Sequence, residues 1–277
     1  MTKNLIVSMA TGYGVDKIKN FVLSLRQYYQ DDVLVISDNQ SNEFREFLES
    51  HNIYSYILGE SVVHHQVGYL RWSIPKEIIT EHFTEAEHVI LSDIRDVVFQ
   101  ANPFDHMVGG KYEFSCEPKL IGECLVHNAA WIHNIYGEQG LEQVRDQWIL
   151  CAGVTAGTRE GVLDICAAIM HELETLPNGI DQAALNMLYG RGRFPEAVLH
   201  LTGDSLIATM HHAETLTFDR AGYLLGNKGQ RIAMVHQYDR VGFSSLNFIR
   251  TAQQIRGTVG VQQAAEYAAR NIPDHDL

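Results

Sequence analysis

Basic residues are scarce in this chain. Twenty-one lysines and arginines stand against 34 aspartates and glutamates among 277 residues, a formal charge of −13. A general nucleic-acid binder neutralises phosphates with a basic face, and none is evident here. A small anionic ligand is not excluded, because a local patch or a metal suffices to hold one. Cysteines are few (Cys116, Cys124, Cys151 and Cys166) and form no C-x-x-C pair. Reduced thiols in a cytoplasmic protein are therefore expected, each packing as a small buried hydrophobe. No apolar run approaches the roughly 20 residues of a membrane span. The stretch Met1 to Ala10 carries one positive charge and six apolar residues before Thr11-Gly12, too short for a secretory signal, and reads as a first strand. Repeats, low-complexity tracts and Pro- or Ser-rich linkers are absent, which favours one compact domain. There is no Gly-x-Ser-x-Gly elbow for a serine nucleophile and no Gly-x-x-x-x-Gly-Lys-Ser/Thr loop for a P-loop ATPase.

What is present is ordinary globular composition, 45% hydrophobic and 20% charged, enough to bury a core. Over the first hundred residues strand and helix patterns alternate. Leu5 to Met9 is an apolar run, followed by Val15, Ile18, Val22, Leu25 and Tyr29 at helical spacing. Val33 to Ser37 is a second strand, and Phe44, Phe47 and Leu48 mark a short helix. Ile53 to Leu58 is a third strand, Leu70, Ile74 and Ile78 a helix with Pro75 in its first turn or kinking it, and His88 to Ser92 a fourth strand. Crossovers of this kind predict an α/β fold, a mainly parallel twisted sheet with helices on both faces. Residues 111–148 show weak periodicity. A strand before Val154, helices over Val162–Leu176 and Asp181–Tyr189, short strands near Val198, Ile207, Leu216 and Ile232, and a helical segment over 247–277 complete the reading.

Ligands of an open parallel sheet bind beyond the carboxyl ends of its strands. After the first strand come Thr11, Gly12 and Tyr13, suited to close approach by a flat base; after the second comes Asp38, suited to a ribose or base. Gly12 and Asp38 are equally what a plain turn requires. After the fourth strand stand Asp93 and Asp96 with Arg95 between them. On a straight strand the two carboxylates would face opposite ways, so they share a site only if the chain bends at Ile94-Arg95. Burial of such charges demands a partner: an Asp–Arg ion pair closing a loop, or a divalent cation on carboxylate oxygens. A late strand runs into His236, which would complete a mixed N/O set suited to Mn²⁺, or Mg²⁺ with the histidine less central. Arg240 could meet a phosphate bidentately.

Together, Asp93-x-x-Asp96 after a Val-Ile-Leu strand, Cys151-Ala-Gly-Val-Thr-Ala-Gly157, Asp181-Gln-Ala-Ala-Leu-Asn186 and the late His236 resemble, in order, nucleotide-sugar glycosyltransferases of the GT-A fold, similar to glycogenin-like and bacterial galactosyltransferase enzymes. The resemblance covers about residues 5–240 by motif order. It implies a single domain over 1–277, with a nucleotide-binding half at about 1–105, an acceptor-side half at about 106–240 and the helical end. It further implies a nucleotide diphosphate sugar donor, a hydroxyl or glycan acceptor, hexosyl or deoxyhexosyl transfer for a surface glycan or polysaccharide, and Mn²⁺ or Mg²⁺ bridging the acidic motif and the diphosphate. The family usually carries Asp-x-Asp. With Asp-x-x-Asp here, Asp96 takes the metal-ligating place and Asp93 reaches the metal or the donor ribose.

Sugar transfer leaves a diphosphate gaining negative charge, which a metal and basic side chains neutralise. Arg71, Lys228 and Arg240 are candidates for that help. The acceptor hydroxyl must lose a proton, and Asp181, at the start of a helix, is the candidate base; its other role is as a helix N-terminal acid. His64-His65 and His211-His212 read as structural, since adjacent histidines diverge on a strand and lack evident partners. Glu117, Asn128 and Trp131 could meet an acceptor sugar, with Trp131 as easily part of the core. The rival readings are a sugar-phosphate nucleotidyltransferase, whose basic Gly-rich loop Thr11-Gly-Tyr-Gly14 represents poorly, and an inactive nucleotide-sugar-binding subunit.

Overall fold

The structure is a computed structural model that describes residues 3–59, 67–176, 179–213 and 217–240. The helical segment expected over 247–277, the pair His64-His65, Leu216 and the side chain of Arg240 lie outside the described residues.

The first half winds as its periodicity requires. Strands β1 (Asn4–Met9), β2 (Asp32–Ser37), β3 (Tyr54–Ile57) and β4 (His88–Ser92) alternate with helices α1 (Val15–Leu25), α2 (Asn42–Ser50) and α3 (Val67–His82). The strands pair in parallel in the order β3-β2-β1-β4. The apolar runs of β1, β2 and β4 divide by parity. Leu5, Val7, Leu34, Ile36, Val89 and Leu91 enter one core layer, which contains Trp72 and Ile79 of α3. Ile6, Val33, Val35 and Ile90 enter the other, with Ile18, Phe21 and Val22 of α1 and Phe44 and Leu48 of α2. Each such side chain contributes about 1.5–3 kcal/mol when fully buried, so both faces of the sheet are held firmly. Pro75 lies in the middle of α3, buried.

Beyond β4 the sheet departs from parallel. β6 (Tyr112–Leu120), β7 (Trp148–Thr158) and β8 (Val198–His200) extend it to seven strands, ordered β3-β2-β1-β4-β7-β6-β8, with β7 antiparallel to both neighbours. The sheet is thus mostly parallel. The weakly periodic stretch 111–148 contains β6 and α4 (Asn128–Val144). β6 is buried over its first six residues, including Glu113, Ser115 and Glu117. α4 is broken at Gly137, where φ is +72°, a conformation glycine adopts without strain.

α5 (Arg159–Thr175) and α6 (Asp181–Gly190) cover this half; the Thr158 hydroxyl caps α5 by accepting the Gly161 N–H at 3.2 Å. Glu113 shows how the buried polar groups are satisfied. Its carboxylate accepts N–H groups from Val108, Gly109 and Gly110 at 2.8–3.2 Å and contacts His200 Nε2 at 2.6 Å. Burial pushes its pKa up, but His200 and the amides of Val108 and Gly110 prevail and hold it below the usual carboxylate range.

A second sheet is small. β5 (Val97–Phe99), β9 (Ile207–Thr209) and β12 (Met234–His236) pair in the order β5-β12-β9, and β10 (Thr217–Phe218) pairs with β11 (Leu224–Leu225). β12 is the central strand, with His236 opposite Val97 and Thr209. This register links positions 96 and 236, 140 apart in sequence.

Candidate functional site

The chain leaves the large sheet at Ser92 and joins the small one at Val97. The intervening four residues are neither strand nor helix, and buried Ile94 anchors the bend in the core. That bend turns Asp93 and Asp96 onto one side. The Asp93 N–H donates to Gly153 O at 2.6 Å, and the Gln237 N–H donates to Asp96 O at 2.8 Å. His236 Nε2 then lies 3.5 Å from Asp93 Oδ2 and 3.9 Å from Asp96 Oδ1. The three residues offer ligand atoms all within 4.8 Å of one another.

The electrostatics of the set match a cation site. His236 is 1% exposed and its Nε2 makes no hydrogen bond among the described residues, while Nδ1 meets the Cys151 sulfur at 3.7 Å. Burial disfavours a charge on this ring, but Cys151, Asp93 and Asp96 outweigh it and lift its pKa well above the usual histidine range. Asp96 is 4% exposed, and burial, reinforced by Asp93 and Asp239, raises its pKa against the pull of His236 and Arg95. Arg95 is turned outward, pairing with Asp239 at 3.1 Å and more loosely with Asp96 at 3.5 Å. A divalent ion would satisfy both the orphaned ring nitrogen and the crowded carboxylates.

β7 supplies the floor. Its pairing with β6 runs in register to Phe114↔Thr155 and resumes at Cys116↔Leu150, so residues 151–154 of β7 bulge opposite Ser115 alone. Bulges of this kind bend a strand and re-aim its side chains. The bulge brings Cys151 and Gly153 against His236 and Asp93. A Cβ on Gly153 would lie 2.7 Å from both Asp93 Oδ2 and His236 Nε2, so only glycine fits. The backbone groups freed by the bulge are taken up by α6. Asn186 pairs with both the N–H and the carbonyl of Leu150 at 2.9 Å, and Gln182 Oε1 accepts the Ala152 N–H at 3.1 Å. The Asp-Gln-Ala-Ala-Leu-Asn pattern thus completes the edge of β7 with side-chain amides.

Two cavities adjoin the acidic pair and share Arg71 and Asp93 as walls. One, of about 260 Å³, is lined by Thr11, Tyr13, Arg95 and Asp96 among others. The second, of about 210 Å³, is lined by Glu117, Trp131, Asp181, His211 and His236 among others. Arg71 of α3 donates to Asp93 Oδ1 and to Ala152 O, each at 2.8 Å, and lies 3.5 Å from Asp181 Oδ2. Burial lowers its pKa, but Asp93 and Asp181 raise it further, so the guanidinium stays charged.

The remaining sequence candidates separate. Gly12, with φ +74°, donates its N–H to Asp38 Oδ1 at 2.8 Å; the two close a turn, and neither lines either of these two cavities. Asp181 has both oxygens engaged, one by the Gln182 N–H at 2.9 Å and one by the Trp72 indole N–H at 3.1 Å and by Arg71. Lys228, expected beside a diphosphate, is exposed on the turn before Gln230 and lines neither cavity, because the chain reverses there. Glu117, Asn128 and Trp131 do meet, in the second cavity.

The pair His211-His212, read as structural and without partners, has partners. The rings stack at 3.8 Å beside Glu117. They follow β9 in a turn, where φ of His212 is +67°, so the divergence expected on a strand does not arise. The sequence signal was available in the inward alternation of Glu113, Ser115 and Glu117, which a strand assignment for 112–120 would have exposed. Compared with known proteins, the chain matches no family profile and no curated protein sequence.

Proposed function

We propose that the protein is a metal-dependent glycosyltransferase of the GT-A type, which moves a sugar from a nucleotide diphosphate to a hydroxyl acceptor. One observation carries this reading: two carboxylates from a strand-end bend and an imidazole from a second sheet converge beside a cavity at the carboxyl ends of β1 and β4. Parallel sheets bind nucleotides at that edge. Asp96 and His236 would hold Mn²⁺ or Mg²⁺, with Asp93 as third ligand or as ribose partner. When bound there, the ion neutralises charge that develops on the leaving diphosphate.

The chain's own residues divide the remaining work. Tyr13 and Thr11 wall the first cavity, where a base and ribose would lie. Arg71, fixed by Asp93, Asp181 and Ala152 O, brings a permanent positive charge to the boundary between the cavities. A hydroxyl entering the second cavity meets Asp181, the carboxylate we assign as proton acceptor. Its Oδ2 is held by Arg71 and Trp72, while Oδ1 accepts one hydrogen bond, from the Gln182 N–H, and keeps a lone pair for that proton.

The test is a panel of nucleotide sugars screened for Mn²⁺-dependent thermal stabilisation, followed by transfer assays. Asp96→Ala should abolish metal-dependent nucleotide binding and transfer while the fold persists; undiminished transfer rejects the assignment. Asp181→Asn should keep donor binding and lose about 10²–10⁴-fold in transfer rate, the range of general-base contributions. Pyrophosphate release from a nucleoside triphosphate and a sugar phosphate would assign the site to nucleotidyl transfer instead.

A further inference from the structure

We propose that Glu117, His211 and His212 form a second divalent-cation site of Zn²⁺ type, distinct from the Asp93–Asp96–His236 set and open to the second cavity. The anchor is Glu117. Its side chain is almost wholly buried. Oε1 accepts the Gln182 amide at 3.1 Å, while Oε2 has no hydrogen-bond partner among the described residues. A buried carboxylate oxygen without a donor costs about 1–3 kcal/mol or more, so the arrangement lacks a positive centre.

Two nitrogens are aimed at that oxygen. His211 Nδ1 lies 3.6 Å and His212 Nε2 3.8 Å from Oε2, too far for hydrogen bonds. Ligand atoms about 2.0–2.1 Å from a tetrahedral ion sit about 3.4 Å from one another. Each nitrogen thus lies a few tenths of an ångström beyond that spacing from Oε2, and the stacked rings must also turn for both lone pairs to converge on one ion. The backbone is arranged for it. Positive φ at His212 folds the chain so that both rings face one way, stacked 26° from parallel. Two imidazolium ions stacked in this manner would repel, whereas neutral rings on a shared ion would not.

The donor chemistry selects the metal. Two imidazoles and one carboxylate form a softer set than two carboxylates and one imidazole, and suit Zn²⁺ better than Mg²⁺ or Mn²⁺. Cys124, buried and 4.0 Å from His212 Nε2, adds a sulfur at the rim. Outer partners are in place: Gln182 Nε2 bridges Glu117 Oε1 and Asn128 Oδ1, and Asn128 Nδ2 donates to the Cys124 sulfur at 3.6 Å. Ligand sets with such supporting shells hold their geometry before the ion arrives. With three protein ligands and Glu117 and His211 on the wall of the second cavity, the ion's remaining position faces that space and would take an oxygen ligand such as a hydroxyl or carboxylate.

The test counts ions on the full chain, stripped with chelator and titrated with Zn²⁺ alone. Wild type should hold two ions. Glu117→Gln, His211→Ala and His212→Gln should each remove one, weakening that site by at least about 100-fold, the upper end of what loss of a mere supporting partner costs. Asp96→Asn should remove only the other. His211→Ala changes a partly exposed side chain, so it keeps the test decisive if Glu117→Gln misfolds. Two ions retained in His211→Ala and His212→Gln, or no ion bound by wild type, overturns the proposal. One ion in wild type that Asp96→Asn removes and His211→Ala spares also overturns it. One ion that His211→Ala removes and Asp96→Asn spares upholds this site and sinks the glycosyltransferase reading instead.

Discussion

At Gly153 the absence of a side chain is what lets an imidazole and a carboxylate share one space. Replacing it with alanine should push His236 or Asp93 aside and weaken Mn²⁺ binding by about 10–100-fold, the range for disturbed supporting contacts; calorimetric titration checks this. Glu113 makes a different prediction. Its pKa is depressed in the folded protein, so it stabilises the fold fully above the unfolded carboxyl value of about 4.3, and that contribution is lost as pH falls through the folded value. Glu113→Gln should cost about 1–3 kcal/mol near neutrality, a Tm loss of about 2–4 °C per kcal/mol for a chain of this class. The gap between wild type and variant should shrink as melting is repeated from pH 6 down to pH 3. The carboxylate pair was legible at this scale, because charged residues between apolar runs need a reason to be there. Lys228 was not, since nothing local tells a lysine on a turn from one aimed at a phosphate.

Elements carry the site's shape through the bulge of β7. Four of its residues stand opposite one of β6, and α6 fills the gap with Asn186 and Gln182. Asn186→Asp retains an acceptor for the Leu150 N–H but loses the donor to its carbonyl and to Gln182 O. We expect destabilisation by about 2 kcal/mol or more, seen as a fall in Tm of about 4–8 °C, with metal affinity falling in parallel because the bulge carries Gly153. The helices α1, α2, α5 and α6 and strands β1, β2 and β4 were readable, since each buries one stripe or a continuous run. β6 and α4 were not. β6 alternates Tyr112, Phe114 and Cys116 with Glu113, Ser115 and Glu117, a short period of two within a stretch of weak pattern, and α4 changes direction at Gly137.

Across the whole molecule, the Asp93–Asp96–His236 set sits where the large sheet passes into the small one. An ion bound there should therefore stabilise the entire fold by mass action, about 2.7 kcal/mol at one hundred times its dissociation constant. Adding Mn²⁺ should raise Tm by several degrees, chelator should reverse it, and Asp96→Asn should be indifferent to both; an equal response in the variant would place the ion elsewhere. Among the described residues no helix is long and apolar enough to cross a membrane. By itself the sequence determined the local elements, the unbroken apolar strands of a sheet covered on both faces, and the presence of acids where β4 ends, because hydrophobic periodicity and the cost of burying charge act over a few residues. Which histidine joins those acids, and that Glu117 stands beside His211 and His212, only the tertiary structure decided. The first depends on β12 pairing with β5, more than a hundred residues away, and the second on β9 meeting β6, and no local pattern encodes either.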